Sequence, residues 1–288
     1  MSNIDPKQFK EAQRRSWDSV AVGWQKWWKT FEKDAQNLSN HLVELAKINS
    51  SSKVLDIATG IGEPSITAAK KVGRGNGHVL ATDISPQMLS IARQRAASLG
   101  LQDVIEFKEG DAETISLPAS EFDAVLCRWG LMFLPDLRNG LLNIYGSLVN
   151  GGYIAAAVWA SPDKVPFLSV SMNTVVKETG KPMPPSGTPG PFKLADQGII
   201  TGALSECGFK DIAVERFNII FTFSSAEEYT QFNQAIAAPI NAMLADQTQE
   251  RKKEIWDAVT ESASRYVDDT GNVKLDNESI CICCCKIE

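Results

Sequence analysis

The sequence predicts an α/β fold, a doubly wound seven-stranded sheet with helical lid insertions. Three observations carry this prediction. Between about residues 50 and 160, short apolar runs without alternation recur, as in strands covered on both faces. Segments with helical periodicity separate most of them, and strands alternating with helices build a mostly parallel sheet. The first run passes through a glycine-rich turn, "VLDIATGIGEPS", into a helix.

The elements follow in order. Residues 11–33 read as a helix in which Trp17, Val20, Ala21, Trp24, Trp27, Trp28 and Phe31 share one face, opposite Gln25, Lys26 and Lys29. A second helix, about 36–48, would bury Leu38, Leu42, Leu45 and Ala46. "KVLDIAT" and "HVLATDI" are the first two strands. Between Ser85, a good N-cap, and Gly100, "PQMLSIARQRAASL" reads as a helix with Pro86 in its first turn. "VIEFKEGDA", "FDAVLCRWG" and "YIAAAVWA" are three more strands, the last preceded by a helix near 136–149. "GKPMPPSGTPGPF" is a loop. A helix near 194–206 leads to the strand "DIAVERFNIIFTF". Ser225 and Glu228 have capping-box spacing at the start of a helical segment that Pro239 interrupts. Residues 249–267 read as a helix, and "SICICCCKI" as the last strand. This divides the chain into an N-terminal helical lid (1–49), a cofactor-binding core (50–160) and the rest of the sheet (161–288), with lid insertions at about 161–193 and 225–268.

Composition narrows the function. The 288 residues are 43% hydrophobic with a net charge of -6, and no basic stripe occurs, which argues against a nucleic-acid partner. The N-terminus is too polar for a signal peptide, and no run reaches the roughly 18 apolar residues of a membrane span. Four of six cysteines crowd the C-terminal end rather than being spaced as a disulfide framework, so a reduced, cytoplasmic protein is expected. In the last strand Cys281, Cys283 and Cys285 would share one face, without the turns that make ligands converge on zinc, and no metal is expected. Cys127 and Cys207 read as packing residues. His41 and His78 lie away from the glycine turn and read as structural.

In the glycine turn, Asp56 ends the strand and Gly60 and Gly62 form the bend. Ser65 stands where a dinucleotide fingerprint has its third glycine, and Glu63 would repel a pyrophosphate while tolerating a cation. An oxidoreductase is therefore disfavoured. "DIATGIG" resembles the first motif of class I S-adenosylmethionine (SAM) methyltransferases. The resemblance continues through "ATDIS", "EGDAE", "FDAVLCRWGLMF" and "LVNGGYIAAA". Within that class, "WDSVAVGW" is similar to the N-terminal signature of ubiquinone/menaquinone-type C-methyltransferases and their small-molecule relatives.

The resemblance implies a Rossmann-like sheet in the order 3-2-1-4-5-7-6 with the last strand antiparallel, and SAM as cofactor. It implies Asp83 on the ribose hydroxyls, Ile84 and Met88 around adenine, and Asp111 and Ala112 at the adenine edge. Asp56, Ala58, Gly60 and Gly62 would lie near the methionine end, with Arg128 bordering the sulfonium. Trp24 stands where many relatives have a tyrosine that touches SAM. Trp17, Trp28, Trp129, Met132 and Phe167 would line the acceptor pocket. Arg128, Tyr153 and Tyr266 are the candidates for orienting or deprotonating the acceptor. The fourth strand lacks the [DN]-P-P-[YF] pattern of amino-methylating nucleic-acid enzymes, and no Pro-Cys nucleophile pair occurs. The expected function is methyl transfer to a small, largely apolar acceptor, carbon or oxygen favoured over nitrogen. The alternative is a SAM-binding protein that steers a cyclisation or uses SAM structurally. A homodimer is compatible with either. The tryptophan helix, residues 11–33, is expected to be a mobile lid whose removal with residues 1–34 leaves a folded core.

Overall fold

The apolar runs pair as their pattern predicts. In a computed structural model that describes residues 6–183, 185 and 187–287, the strands are β1 (Lys53–Ile57), β2 (His78–Asp83), β3 (Ile105–Glu109), β4 (Phe122–Arg128), β5 (Leu148–Trp159), β6 (Lys210–Phe223) and β7 (Val273–Cys285). They form one sheet in the order β3-β2-β1-β4-β5-β7-β6. Strands β1 to β5 are parallel, whereas β7 runs antiparallel to β5 and β6. All of β1 after Lys53 is buried, which explains its lack of alternation. The order reverses between β1 and β4, and a crevice opens outside the carboxyl ends of strands at such a switch point.

Helices connect the strands: α2 (Ser65–Val72), α3 (Pro86–Ser98), α4 (Leu137–Ser147), α5 (Pro166–Thr179), α6 (Gln197–Glu206), α7 (Ala226–Ile236), α8 (Ala238–Met243) and α9 (Gln249–Ser264); all but α5 fall where a helix is expected, and α5 lies in the stretch expected only as a lid insertion. The Ser85 hydroxyl caps α3 by accepting from Met88 N at 3.1 Å. Ser225 caps α7 by accepting from Glu228 N at 3.2 Å, and the Glu228 carboxylate reaches back to Ser224 N. The helical segment breaks between Ile236 and Ala238, just before Pro239.

The N-terminal region departs from expectation. Instead of two helices, a single 40-residue helix, α1 (Pro6–Leu45), runs without interruption. The stretch "FEKDAQ" across the expected break holds no Gly or Pro, so nothing stops propagation. Helix α1 crosses β4, β5 and β6 and packs on α2, α3, α7 and α8. Its contact with α7 needs Gly23, because a Cβ there would stand 2.0 Å from the Ala235 carbonyl oxygen. From Trp27 onward α1 belongs to the main core, with Phe31, Ala35, Leu38 and Leu42 buried. No described residue before Ser19 is buried.

β7 begins at Val273 rather than Ser279. Val273, Leu275 and Asn277 alternate inward with exposed Lys274 and Asp276, a half-buried strand pattern hidden by its polar residues. The six cysteines are free thiols. Cys281 lies near His41 and Glu215, their ligand atoms all within 4.8 Å. The His41 ring, however, is already hydrogen-bonded to Glu215 and stacked on Phe217, and burial pushes the Cys281 thiol up to about 12. The Cys281 thiol is thus held in its protonated form, which binds metal poorly, and His41 Nε2 and Glu215 are bonded to each other. Protein purified without chelator is expected to carry far less than one zinc per chain by elemental analysis; stoichiometric zinc lost in Cys281→Ser would contradict this.

Candidate active site

The glycine turn after β1 is built by its own backbone. Thr59 N donates to Thr82 O and Gly62 N to Thr59 O, both at 2.9 Å. Ala58 and Gly60 adopt left-handed φ of 56° and 57°. At Gly60 nothing stands within 4 Å of where a Cβ would go, so the glycine leaves room on the cavity side. At the end of β4, Trp129 is also left-handed (φ 60°). Two non-glycine residues in this costly conformation, on adjacent strand ends, mark the switch point as a functional site.

A cavity of about 260 Å³ opens there. Gly60, Asp83, Ile84, Met88, Asp111 and Ala112 line it from the ends of β1, β2 and β3. Trp129, Met132, Trp159 and Phe167 line it from beyond β4, and Trp17, Trp24 and Phe31 project from α1. The aromatic wall is interlocked: Trp129 stacks on Trp159 at 4.2 Å, Phe167 on Phe221 at 4.3 Å, and Trp24 meets Phe31 edge-on at 5.1 Å. The Trp24 indole N–H is buried without a partner. Ser171 and Asn233 are the polar part of this wall and bond each other at 2.9 Å.

The charged residues are tightly ordered. Asp83 accepts from Gly60 N and Ser85 N, each at 2.8 Å. Burial pushes its carboxyl up to about 6. Asp111 receives Lys10 Nζ at 2.6 Å, and Lys10 also pairs with Glu113 at 2.5 Å. Arg128 forms a two-pronged pair with Glu32 of α1, at 2.8 and 2.5 Å, and donates to Ser39 Oγ at 2.8 Å. Burial works against the Arg128 charge, but Glu32 more than offsets it. Glu63 accepts from Thr67 Oγ1 at 2.6 Å and lies 3.7 Å from Arg95.

Several expected site residues lie elsewhere. Asp56 is fully buried beneath the turn, accepting from Ser65 N at 3.0 Å, with its other carboxylate oxygen unpartnered. It orders the turn from below instead of facing the cavity. Gly62 is likewise under the turn, against Ile66. Trp28 points past the cavity onto Arg95, 4.3 Å from ring centroid to guanidinium. Tyr153 is at the wrong end of β5, because a parallel strand brings only its carboxyl end to the site; it bonds Lys47 at 2.5 Å. Tyr266 is exposed beyond the end of α9. Of the three candidates for handling the acceptor, only Arg128 lines the cavity. Sequence reading missed Lys10, Glu32, Trp159, Ser171 and Asn233, which enter from distant segments without a local motif. Glu32 alone left a trace, a charge beside Phe31 on an otherwise aromatic helix.

Burial pushes the Asp56 carboxyl up to about 7. A carboxyl whose folded pKa is raised opposes folding increasingly as pH climbs from its ordinary value near 4 to about 7, and fully above that. Asp56→Asn is therefore expected to stabilise the ligand-free protein at pH 8 by on the order of 2–4 kcal/mol and to change it little at pH 4. The same variant is expected to bind SAM more weakly, because the turn loses its anchoring charge. Urea titrations at both pH values, with calorimetric SAM binding, check the two effects; equal stability changes at pH 4 and 8 would remove the buried-charge explanation.

The sheet order, with an antiparallel strand inserted between β5 and β6, defines the class I methyltransferase fold. Residues 54–152 match the family described as methyltransferase domain. The chain is 26% identical over 187 residues to a demethylmenaquinone methyltransferase of Bacteroides fragilis, covering 62% of this chain and 74% of that one. It is 38% identical over 99 residues to a ubiquinone/menaquinone biosynthesis C-methyltransferase of a Bradyrhizobium species, 34% of this chain and 39% of that one. The fold also matches a Haemonchus contortus phosphoethanolamine N-methyltransferase solved with SAM (TM-score 0.54, 19% identity, 88% of this chain and 53% of that one). The [4+2]-cyclase SpnF shares it as well (TM-score 0.54, 18% identity, 88% and 82%). Residues 54–152 thus carry a methyltransferase domain, on the class I fold of SAM-dependent methyltransferases, with SAM as the cofactor of that domain. No helix among the described residues is long and apolar enough to cross a membrane.

Proposed function

We propose that the cavity holds SAM at the β1–β3 ends and a small, flat, largely apolar acceptor against the aromatic wall, with carbon or oxygen methylated in preference to nitrogen. The observation that carries this reading is the wall itself. Trp129, Trp159, Phe167 and Phe31 offer ring faces, and Ser171 and Asn233 add neutral polarity. Of the carboxylates that line the cavity, Glu32, adjoining Phe31, is already paired with Arg128. Two relatives named for quinone methylation support a flat ring as acceptor.

The donor set at the other end fits the cofactor. A carboxylate at the end of β2 suits paired ribose hydroxyls. Ile84 and Met88 provide an apolar clamp, and the open space at Gly60 admits a ligand close to the backbone. When bound, SAM supplies an electrophilic methyl group. The chain supplies binding and alignment, worth roughly 7–11 kcal/mol when the geometry is right. Trp17, Trp24 and Phe31 exclude water. Residues 7–18 act as the lid, held at the rim by Lys10 on Asp111 and Glu113, by Gln13 on the Phe133 carbonyl (3.0 Å), and by Ser85 on Asp18 (2.6 Å).

The reading is tested by incubating the protein with methyl-labelled SAM and reduced quinones or other flat phenols. S-adenosylhomocysteine and a product heavier by one methyl are expected. Conversion of the acceptor with no S-adenosylhomocysteine formed would favour a cyclase-like role. Asp83→Ala is expected to weaken SAM binding by about 1.5–3 kcal/mol per lost bond while the fold persists. Unchanged affinity in a calorimetric titration would remove Asp83 from the ribose site.

A further inference from the structure

The cavity wall carries a charge imbalance. Glu32, Glu63 and Arg128 all line it. Arg128 is committed to Glu32 through both guanidinium prongs and to Ser39. Among these three, one cation faces two carboxylates, and Glu63 is left to a cation outside the cavity lining. Behind the wall stand one further charge of each sign, Asp56 and Arg95. Arg95 lies 3.7 Å from Glu63 and spends one guanidinium nitrogen on the Ile61 carbonyl at 2.5 Å. The cluster thus holds three acids and two cations, all at least mostly buried. Glu63 takes its hydrogen bonds from neutral Thr67, and its ion pair with Arg95 is a long one at 3.7 Å. Burial and the neighbouring Glu32 both push its carboxyl upward, so its charge is the one that a cationic ligand would relieve.

Resting on the reading that SAM occupies this cavity, we propose that Glu63, held against the Glu32–Arg128 pair, is a specificity-determining residue that makes the cavity favour the cationic cofactor over its neutral demethylated product. The zwitterionic amino acid end is common to both; the sulfonium charge is not. Once the methyl had passed to the acceptor, its bond's electron pair staying on sulfur, the product would be a neutral thioether and the net negative charge of the Glu32, Glu63, Asp56, Arg95 and Arg128 cluster would go unbalanced. The wall thereby assists product release. Charge complementarity in a buried setting is strong enough for this because screening is weak there.

The test is isothermal titration calorimetry on the full chain at pH 8 with three ligands: SAM, S-adenosylhomocysteine, and sinefungin, in which an amine-bearing carbon replaces the sulfonium. Glu63→Gln keeps the bond from Thr67 and removes only charge. It is expected to weaken SAM and sinefungin by about tenfold or more and S-adenosylhomocysteine by about threefold or less. Arg95→Gln enlarges the imbalance and is expected to move the ratio the other way, which keeps the test intact should the first variant fold poorly. Equal weakening of all three ligands in both variants would make Glu63 a merely structural residue and overturn the proposal. Failure of every ligand to bind the wild type would instead overturn the assignment of the cavity to SAM.

Discussion

Glu32→Ala is expected to destabilise the protein by about 3–5 kcal/mol, the cost of leaving a buried charge without its partner. Glu32 and Arg128 side chains are each only 7% exposed, and their pair joins α1 to the end of β4. Removing the carboxylate leaves Arg128 with Ser39 and the more distant Glu63, neither of which replaces a two-pronged partner. Because the pair also lines the cavity, SAM binding should fall with stability. Urea unfolding measures the first effect. The double variant Glu32→Ala with Arg128→Met should recover part of the loss, because it removes the stranded charge along with its partner. A single variant that loses less than about 1 kcal/mol would mean that water or Glu63 satisfies Arg128, and that the pair is dispensable.

Removing residues 1–18 is expected to leave a folded protein whose turnover falls by roughly a hundredfold or more, since the site would lose its water barrier. None of the described residues removed is buried, yet they supply Trp17 to the cavity and the Lys10, Gln13 and Asp18 contacts to its rim. The longer truncation through residue 34, which the sequence alone would allow, is expected to unfold the protein. It deletes Phe31 from the main core and Glu32 from Arg128. Circular dichroism melts and labelled-SAM turnover on both truncations separate the two regions. Full activity in the shorter one would mean that the start of α1 covers nothing of importance.

The tryptophan stripe illustrates how far a helical face can be read. Its periodicity says that one side of α1 is covered, and it is. What covers it changes along the helix. Trp17 and Trp24 look into the cavity, Trp28 lies on Arg95, and Trp27 packs edge-on with Phe232. A period of 3.6 residues identifies a buried side but not the neighbour, because that neighbour comes from α7, more than 200 residues away. Tyr153 makes the complementary point. As a tyrosine near the last motif it was a reasonable acceptor-handling residue, but parallel strands deliver only their carboxyl ends to the switch point, and Tyr153 stands at the other end of β5.

Local chemistry by itself determined the strands, their alternation with helices, the caps at Ser85 and Ser225, and the acidic residues that end β1, β2 and β3. These depend on backbone hydrogen bonding, turn geometry and burial pattern within a dozen residues, and each leaves a mark in the order of side chains. Tertiary structure alone decided that α1 is one helix, that Asp56 lies beneath the turn while Asp83 faces the cavity, and that Glu32, Glu63 and Arg128 share one buried wall. Those outcomes rest on contacts between segments far apart in the chain. Such contacts are set by the close packing of whole elements, and no single segment carries them in its own pattern.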